Sequence, residues 1–369
     1  MNSRLKNRIL SIVIPTFNEY KNISKIINKL LNLDVSFELE LIIVDDNSFD
    51  DTASLVREYA RKDRRVRLIS RVGRFGLSSA IKEGCLCASG EVITVMDADG
   101  QHDPSYIELA LKKIEINKVD LVVGSRFLEE SIIEGLSKSR KRNSIMANSL
   151  ARLSLYGSYS HLTDYMSGFF VFNRNSCIRY IKKIDVNGFK FLYELLAIST
   201  GKLKLVEIPL VFKERIYGNS KLDIPVVWDF LISLIHTFSR RIFPRRAVSF
   251  GLVGSTGVAI QLLTIYFLLA VTNYDFDKIL PVGVIIAASS NFIINNMLTF
   301  KHNKLTGNKF YFGLLKFLLV SSFPIIANVG VTNLFYSQFS INSFFSQIAG
   351  IIVVFIWNYA ASSKVVWNN

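Results

Sequence analysis

The segment 96–104, MDADGQHDP, carries the side chains best suited to metal chemistry. Asp97 and Asp99 stand two positions apart, and Gln101 follows within the same short turn. Carboxylates this close repel each other unless a cation or proton compensates them, and such oxygen ligands suit Mg²⁺ or Mn²⁺. We expect Asp99 and Gln101 to hold the metal and Asp97 to face a ribose or the outer ligand sphere. A turn without a metal is the alternative, and His102 is expected to be a surface turn residue.

Predicted strands and helices that alternate along the first hundred residues must position this turn. Short β-branched runs, apolar on both faces, cover residues 9–15, 38–46, 66–70 and 91–99, and helical patterns begin near Glu19, Thr52 and Leu77. This order predicts an α/β fold with a parallel, three-layer sheet. The G-x-G-x-x-G and G-x-x-x-x-G-K-[ST] patterns are absent, which argues against dinucleotide and P-loop sites.

Other polar or aromatic side chains follow the predicted strands at the same edge of the sheet. Ligands of such sheets bind beyond the carboxyl ends of the strands. Besides the 97–101 turn, the residues expected at this edge are Phe17, Asn18, Glu19, Asp45 and Asp46. The sequence therefore predicts that the polar chemistry is concentrated there.

A weaker, mixed pattern occupies the next part of the chain. It predicts strands over residues 120–126, 169–173 and 203–212 and helices over 143–156 and 191–200. Residues 224–243 have apolar side chains at helical spacing and a basic end. Such a helix lies in a membrane interface or packs on the protein surface, and the pattern alone leaves both open.

The last third of the chain is apolar. Four stretches of membrane-spanning length are predicted, at about 247–271, 279–300, 311–339 and 344–366. Basic residues gather before the first stretch and between the second and third, so both termini are expected to face the cytoplasm. The predicted domains are 1–223, an interface region 224–246 and a transmembrane domain 247–369.

Composition restricts the partners. The formal net charge is +14, but no basic stripe is interleaved with stacking aromatics, so we expect phosphorylated ligands and a lipid bilayer and no nucleic acid. The three cysteines form no C-x-x-C pair, as expected of buried apolar side chains in a reducing compartment. The short apolar run that ends at Pro15 does not predict a cleaved signal peptide.

Six motifs in order resemble family 2 inverting glycosyltransferases of the dolichyl-phosphate mannosyltransferase type. They are IPTFNE (14–19), VDDNSFDDT (44–52), GLSSAIKEG (76–84), MDADGQHDP (96–104), GSR (124–126) and RIYGNSK (215–221). FGLVGSTG (250–257), NFIINNMLTF (291–300) and WNYAASSKVVW (357–367) resemble the four-helix GtrA-like membrane domain fused to some of these enzymes. The resemblance implies a GT-A, Rossmann-like domain followed by an all-α transmembrane domain.

The resemblance also implies site residues. Those expected to hold the nucleotide sugar are Pro15, Phe17, Glu19, Val44, Asp46, Asp97, Ala98 and Asp99, while Arg126, Arg215 and Lys221 bind phosphates. Asp99 and these three cations are the expected catalytic residues, and Asp99 with Gln101 the metal ligands. Arg74, Gly76 and Leu77 are weaker nucleotide candidates.

Arg140 and Ser144 match positions that engage the lipid phosphate in the family, although Lys141 and Arg142 compete for that role. Asp164 lies where related transferases often keep a catalytic base. A phosphate acceptor is already anionic, so a structural or loop-gating role is expected for Asp164, and pairing with a basic residue for Glu194.

The implied reaction is metal-dependent, inverting transfer of mannose from GDP-mannose to dolichyl or another polyprenyl phosphate. Two alternatives remain open at this point. One is transfer of glucose from UDP-glucose, since the motifs say little about the base or the hexose. The other is a lipid-linked sugar transporter or scaffold with an inactive soluble domain, which would not need an intact acidic edge.

Overall fold

The computed structural model describes residues 8–73, 76–134, 138–186, 190–213, 224–337 and 343–367. The chain divides into two units, Met1–Phe238 and Ser239–Asn369. The helix Ile224–Phe238 therefore belongs to the first unit.

The first half of the first unit is a regular alternation of strands and helices. Its elements are β1 (Ile9–Thr16), α1 (Tyr20–Leu31), β2 (Glu38–Asp45), α2 (Thr52–Lys62), β3 (Val66–Ser70), α3 (Leu77–Cys87) and β4 (Val92–Val95). The strands β1, β2 and β4 are almost wholly buried, as β-branched runs covered on both faces by helices must be. The predicted α/β order is confirmed.

The second half is less regular. It comprises α4 (Tyr106–Asn117), β5 (Leu121–Ser125), β6 (Ile132–Ile133), α5 (Lys138–Ser154), β7 (Phe170–Asn173), α6 (Arg174–Ile181), α7 (Phe191–Ser199), β8 (Leu205–Pro209), β9 (Val211–Phe212) and α8 (Ile224–Phe238). The short strands β6 and β9 form a separate two-stranded sheet. The sequence patterns did not predict α4, α6 or β6.

A seven-stranded sheet of order β3-β2-β1-β4-β7-β5-β8 runs through the unit. The first four strands in this order are parallel, whereas β7 is antiparallel to both of its neighbours, β4 and β5. The sheet is therefore mixed, not parallel throughout. The carboxyl ends of β1, β2, β4 and β5 still share one edge, because these four strands run in the same direction.

The helix α8 has two contrasting sides. Leu234 is buried in the core cluster formed with α5 and α7, and the Phe238 ring stacks on Tyr156 at 5.3 Å between centroids. Val227, Leu231 and Ile235, at successive helical turns, are exposed. The packed-helix interpretation therefore accounts for one side of α8 and leaves an apolar strip on the other.

The second unit is helical in the part that the structure describes. Its long helices are α9 (Arg245–Val271), α10 (Phe276–Ile294), α11 (Asn308–Ser337) and α12 (Ser343–Ala361). Among the described residues, two helical stretches, Arg245–Val271 and Lys278–Thr299, are long and apolar enough to cross a membrane. The predicted all-α character of this region is confirmed.

The helix pairs α9–α10 and α11–α12 end alike. A π-helical turn follows each pair, Asn295–Thr299 after α10 and Ser362–Val366 after α12, with aromatic Phe300 and Trp367 next in the chain. These two rings stack at 4.1 Å with their planes 5° apart.

Two ring contacts join a helix of one pair to a helix of the other. Phe250 of α9 meets Tyr359 of α12 at 5.7 Å, and Phe317 of α11 meets Phe292 of α10 at 5.8 Å. Phe317 lies as far along the chain from Phe250 as Tyr359 lies from Phe292. The two contacts therefore involve positions that correspond between the two helix pairs.

Candidate active site

Pro15 and Val44 lie opposite each other on β1 and β2, one residue before each strand ends. Both are buried, and the methyl groups of Val44 pack in the core against α3. The two residues thus lie at the predicted edge of the sheet, one residue inside the strand ends. Their predicted contact with a nucleotide stays a prediction.

The loop after β1 is fixed by hydrogen bonds to the loop after β2. Asn18 has a left-handed backbone (φ 57°), and its backbone N–H donates to Ser48 Oγ at 2.8 Å. The Phe17 ring meets Phe49 edge-on at 5.3 Å. Glu19 precedes α1, and its carboxylate accepts from Asn22 Nδ2 at 2.8 Å. The structure therefore brings Phe17 and Glu19 to the predicted edge.

Asp46 forms a buried ion pair that the sequence patterns did not reveal. Its Oδ1 lies 2.7 Å from an Arg71 guanidinium nitrogen, and its Oδ2 accepts the Gly76 N–H at 2.8 Å. Arg71 also lies 3.0 Å from Glu83, and its side chain is only 7% exposed. Arg71 directly follows β3, so its place at this edge could have been predicted from the position of polar residues after strand ends.

An open cleft of about 290 Å³ lies beside this pair, between the end of β2 and the start of α2. Asp45, Ser48 and Phe49 are among its lining residues. The Asp45 carboxylate accepts hydrogen bonds from Thr16 and from the Ser48 hydroxyl and backbone N–H. Asp45 thus stabilises the turn at the cleft.

The Asp97–Asp99 turn follows β4 at the centre of the edge. Asp99 and Gln101 are 7% and 5% exposed, and Ala98 is buried between the two aspartates. Asp99 Oδ1 accepts the Gln101 N–H at 3.1 Å. Gln101 donates through Nε2 to the Lys213 carbonyl at 3.0 Å, so its side-chain oxygen is not the atom used in that bond.

This donor set fits a divalent cation. The Asp99 carboxylate is held by a backbone N–H of the turn and the Gln101 amide by the Lys213 carbonyl, and carboxylate and amide oxygens are ligands that Mg²⁺ and Mn²⁺ prefer. No group of three or more His, Cys, Asp or Glu suited to a metal occurs among the described residues. A cation here would take few protein ligands, as expected for one that also binds substrate phosphates.

His102 is not the surface turn residue that the sequence predicts. It is 7% exposed and lies between the rings of Phe169 and Phe212, at 5.8 and 5.5 Å. This burial lowers the pKa of His102 to about 4, so its imidazole is neutral near pH 7. The prediction failed because the residue before β7 and a residue of β9, both distant in sequence, supply the rings that cover it.

Arg126 follows β5 and pairs with Asp164. Its Nε and one terminal nitrogen lie 2.7 and 2.9 Å from the two Asp164 oxygens, and Asp164 is fully buried. Burial raises the pKa of Asp164, but the Arg126 charge and the hydrogen bonds from Arg126 and the Met166 N–H together outweigh this, so the net pKa is lowered. The structural or loop-gating role expected for Asp164 stays a prediction.

Gly168 brings the same turn against Asp97. A Cβ atom at this position would lie 2.0 Å from Asp97 Oδ2, so glycine is required for the carboxylate to lie there. The Asp97 charge, like that of Asp164, raises the pKa of Arg126 against the opposing effect of burial. Asp97, Arg126 and Asp164 thus form one electrostatic group.

Three predicted site residues, Arg74, Arg215 and Lys221, lie outside the described residues. Arg140 is exposed and Ser144 half-buried, both on α5, and Lys141 and Arg142 are exposed as well. Gly76 is linked to Asp46, whereas the neighbouring Leu77 is 41% exposed. Glu194 is fully buried on α7.

Glu207 was not predicted from the sequence. It lies on β8, and burial raises its pKa although hydrogen bonds from Thr163 and Asp164 oppose that effect. Its partners are more than forty positions away in the chain. Local sequence therefore carries no sign of the contact.

Comparison with known proteins decides the family. The family models described as glycosyl transferase family 2 and as the GtrA/DPMS transmembrane domain match residues 11–179 and 249–367. A dolichol-phosphate mannosyltransferase of Pyrococcus furiosus is 30% identical over 362 residues, covering 97% of this chain and 99% of that protein. The chain belongs to the dolichol-phosphate mannosyltransferases of family 2. It is a glycosyltransferase with a GT-A domain and a transmembrane domain, as the motifs predicted.

Two further relatives bear on the same family. A dolichol-phosphate mannosyltransferase of Mycosarcoma maydis is 32% identical over 263 residues, covering 69% of this chain and 85% of that protein. A dolichyl-phosphate beta-glucosyltransferase of Trichomonas vaginalis is 29% identical over 239 residues, covering 61% and 69%. A solved Mycobacterium tuberculosis glucosyl-3-phosphoglycerate synthase with Mn²⁺ and UDP-glucose is 19% identical, with a TM-score of 0.48 over 65% of this chain and 83% of that one.

Proposed function

We propose that this transferase moves mannose from GDP-mannose to dolichyl or another polyprenyl phosphate, with inversion to the β-linked product. The Asp97–Asp99 turn with Arg126 beside it carries the proposal, because a nucleoside diphosphate needs both a cation site and a fixed positive side chain. The names of the Pyrococcus and Mycosarcoma relatives support mannose and the dolichyl acceptor.

Phe17, Glu19 and Asp46 are proposed to hold the nucleotide, together with the backbone at Pro15 and Val44 and with Asp97 and Ala98. Asp99 and Gln101 would hold a Mg²⁺ or Mn²⁺ ion, which when bound supplies neutralisation of the diphosphate charge. Arg126 adds a permanent cation for the leaving diphosphate, and Arg215 and Lys221 are proposed to act with it.

The acceptor needs little acid–base help. Its phosphate oxygen is already anionic near neutral pH and attacks the anomeric carbon in line as the bond to the diphosphate breaks. Arg140 and Ser144 on α5 are proposed to orient this phosphate, Arg140 by charge and Ser144 by a hydroxyl hydrogen bond. Asp164, paired with Arg126, would not serve as the base.

The catalytic unit is proposed to lie on the cytoplasmic face of the membrane, with several spans in the second unit and both termini cytoplasmic. The exposed apolar strip of α8 supports this, since Val227, Leu231 and Ile235 would otherwise face water. The basic residues before α9 and those between α10 and α11 favour the same orientation.

Transfer of glucose from UDP-glucose is the second candidate, supported by the Trichomonas beta-glucosyltransferase. A transfer assay with purified protein, dolichyl phosphate and either radiolabelled GDP-mannose or UDP-glucose separates the two. We expect labelled lipid from GDP-mannose, lost when EDTA is added. Product from UDP-glucose alone would replace the first proposal, and donor binding without any transfer would support the inactive scaffold instead.

A further inference from the structure

The turn that carries Asp164 is anchored by side chains. Four consecutive backbone N–H groups, those of residues 163–166, each donate to a carboxylate or amide oxygen. Two of these oxygens belong to Glu207, one to Asn148 of α5 and one to Asp164 itself. A turn held in this way has little freedom to shift.

Glu207 makes the largest contribution to this anchoring. Its Oε2 accepts the Thr163 N–H at 2.9 Å, and its Oε1 accepts the Asp164 N–H at 3.0 Å. The Thr163 hydroxyl lies 3.0 Å from Oε1 and bonds to Ser125 Oγ at the end of β5. The Glu207 carboxylate thus ties the turn to β8, and the Thr163 hydroxyl ties it to β5.

The anchored turn reaches the site at two points. At its start, Asp164 holds the Arg126 guanidinium through two hydrogen bonds of 2.7 and 2.9 Å. At its end, Gly168 lies against the Asp97 carboxylate. A shift of the turn would therefore move Arg126 relative to Asp97.

We propose that Glu207 is a positioning residue for transfer, which sets the place of Asp164 and, through it, of Arg126 beside Asp97. The inference rests on the proposed function, because it takes Arg126 to bind the donor diphosphate. Glu207 acts through hydrogen bonds to the turn and is not itself a catalytic residue. Small misplacements of a charge-stabilising group are costly in rate, by up to about 10²-fold.

Glu207→Gln tests the proposal, because the amide keeps one acceptor oxygen and turns an N–H towards a backbone N–H of the turn. We expect kcat to fall at least about ten-fold.

Glu40→Gln is the matched control. Glu40 also accepts hydrogen bonds from a backbone N–H and two hydroxyls, those of Ser89 and Ser11, and pairs with Arg67, but it lies near the start of β2, away from the site. This control should lose thermal stability and retain kcat.

A double-mutant cycle with Arg126→Lys separates positioning from a merely structural effect. If Glu207 acts through Arg126, the double variant will be no slower than Arg126→Lys alone. Multiplying effects would overturn the proposal, as would a Glu207→Gln kcat within about two-fold of wild type. If Glu207→Gln does not fold, Thr163→Val replaces it in the cycle with Arg126→Lys, because it removes only the contacts of the hydroxyl. The kcat of the double variant is then compared with that of Arg126→Lys in the same way.

Failure of the proposed function gives a different result. A wild-type protein without mannose transfer would contradict that function alone. In that case the Kd of GDP in the presence of Mg²⁺ is measured by titration calorimetry for the same single and double variants. Non-additive losses of GDP affinity would support the positioning role, and additive or absent losses would overturn it.

Discussion

Two buried arginine–aspartate pairs flank the Asp97–Asp99 turn, and they are held differently. Arg71 and Asp46 lie at the ends of β3 and β2, in the parallel half of the sheet, and Arg71 is shared with Glu83. Arg126 and Asp164 lie on the mixed side, where Asp164 comes from a turn that other segments anchor. The first pair is linked to the Gly76 turn and the second to Asp97.

We expect the two pairs to control different steps, donor binding and transfer. The Arg71–Asp46 pair lies with the residues proposed to hold the base and ribose, so it should control donor affinity. The Arg126–Asp164 pair lies with the proposed diphosphate site, so it should control the rate of transfer. The following predictions test that division, and the first concerns the turn between the two pairs.

Asp99→Ala should abolish turnover, with kcat lowered about 10³-fold or more. The reason is that it removes the proposed metal ligand on which electrostatic stabilisation of the diphosphate depends. Transfer measured across a range of Mg²⁺ and Mn²⁺ concentrations checks this. Asp63→Ala is the control, since Asp63 pairs locally with Arg65 before β3. Near-normal turnover of Asp99→Ala would disprove the assignment.

Asp164→Asn should lower kcat about 10²-fold and destabilise the first unit by about 3–5 kcal/mol, because it leaves a buried guanidinium without its counter-charge. Steady-state kinetics and thermal unfolding of the same preparation measure both effects. If the division is correct, the Kd of GDP rises measurably, by a few-fold, but much less than kcat falls. A variant with full kcat and weakened GDP binding would reverse the assignment of the two pairs.

Arg71→Met should weaken GDP binding about ten-fold, which is about 1.4 kcal/mol, while kcat at saturating donor stays within a few-fold of wild type. The reason is that Asp46 and the Gly76 turn lose their shared partner. Titration calorimetry with GDP and saturation kinetics provide the two numbers. A kcat loss as large as that of Asp164→Asn, with GDP affinity unchanged, would remove the distinction between the pairs.

The smallest effect concerns pH. Burial alone would raise the folded pKa of Asp164, but the Arg126 charge and the hydrogen bonds to the carboxylate together lower it. Its contribution to stability is therefore complete above the ordinary carboxyl value of 3.8 and is lost as pH falls through the lowered folded pKa. The difference in Tm between wild type and Asp164→Asn should be constant from pH 7 to about pH 5 and narrow below about pH 4. An unchanged difference at pH 3 would contradict this.

The parallel half of the sheet could be predicted well. The strand β3 was predicted with the residues it has, Val66–Ser70, and β1 and β2 to within one residue at each end. Each βαβ unit is local in sequence, and strands buried on both faces have an unmistakable apolar run. The placement of Phe17, Glu19, Asp46 and the Asp97–Asp99 turn at one edge follows from strand direction alone.

The contacts in the mixed half of the sheet could not be predicted from the sequence in the same way. Nothing local indicates that β7 enters between β4 and β5, that Phe169 and Phe212 enclose His102, or that Glu207 anchors the Asp164 turn. The sequence alone determined the residue types of the site, the order of its motifs and the change from a polar to an apolar half. Tertiary structure decided which charges meet, because arginines and carboxylates far apart in the chain become partners only when packing removes them from water.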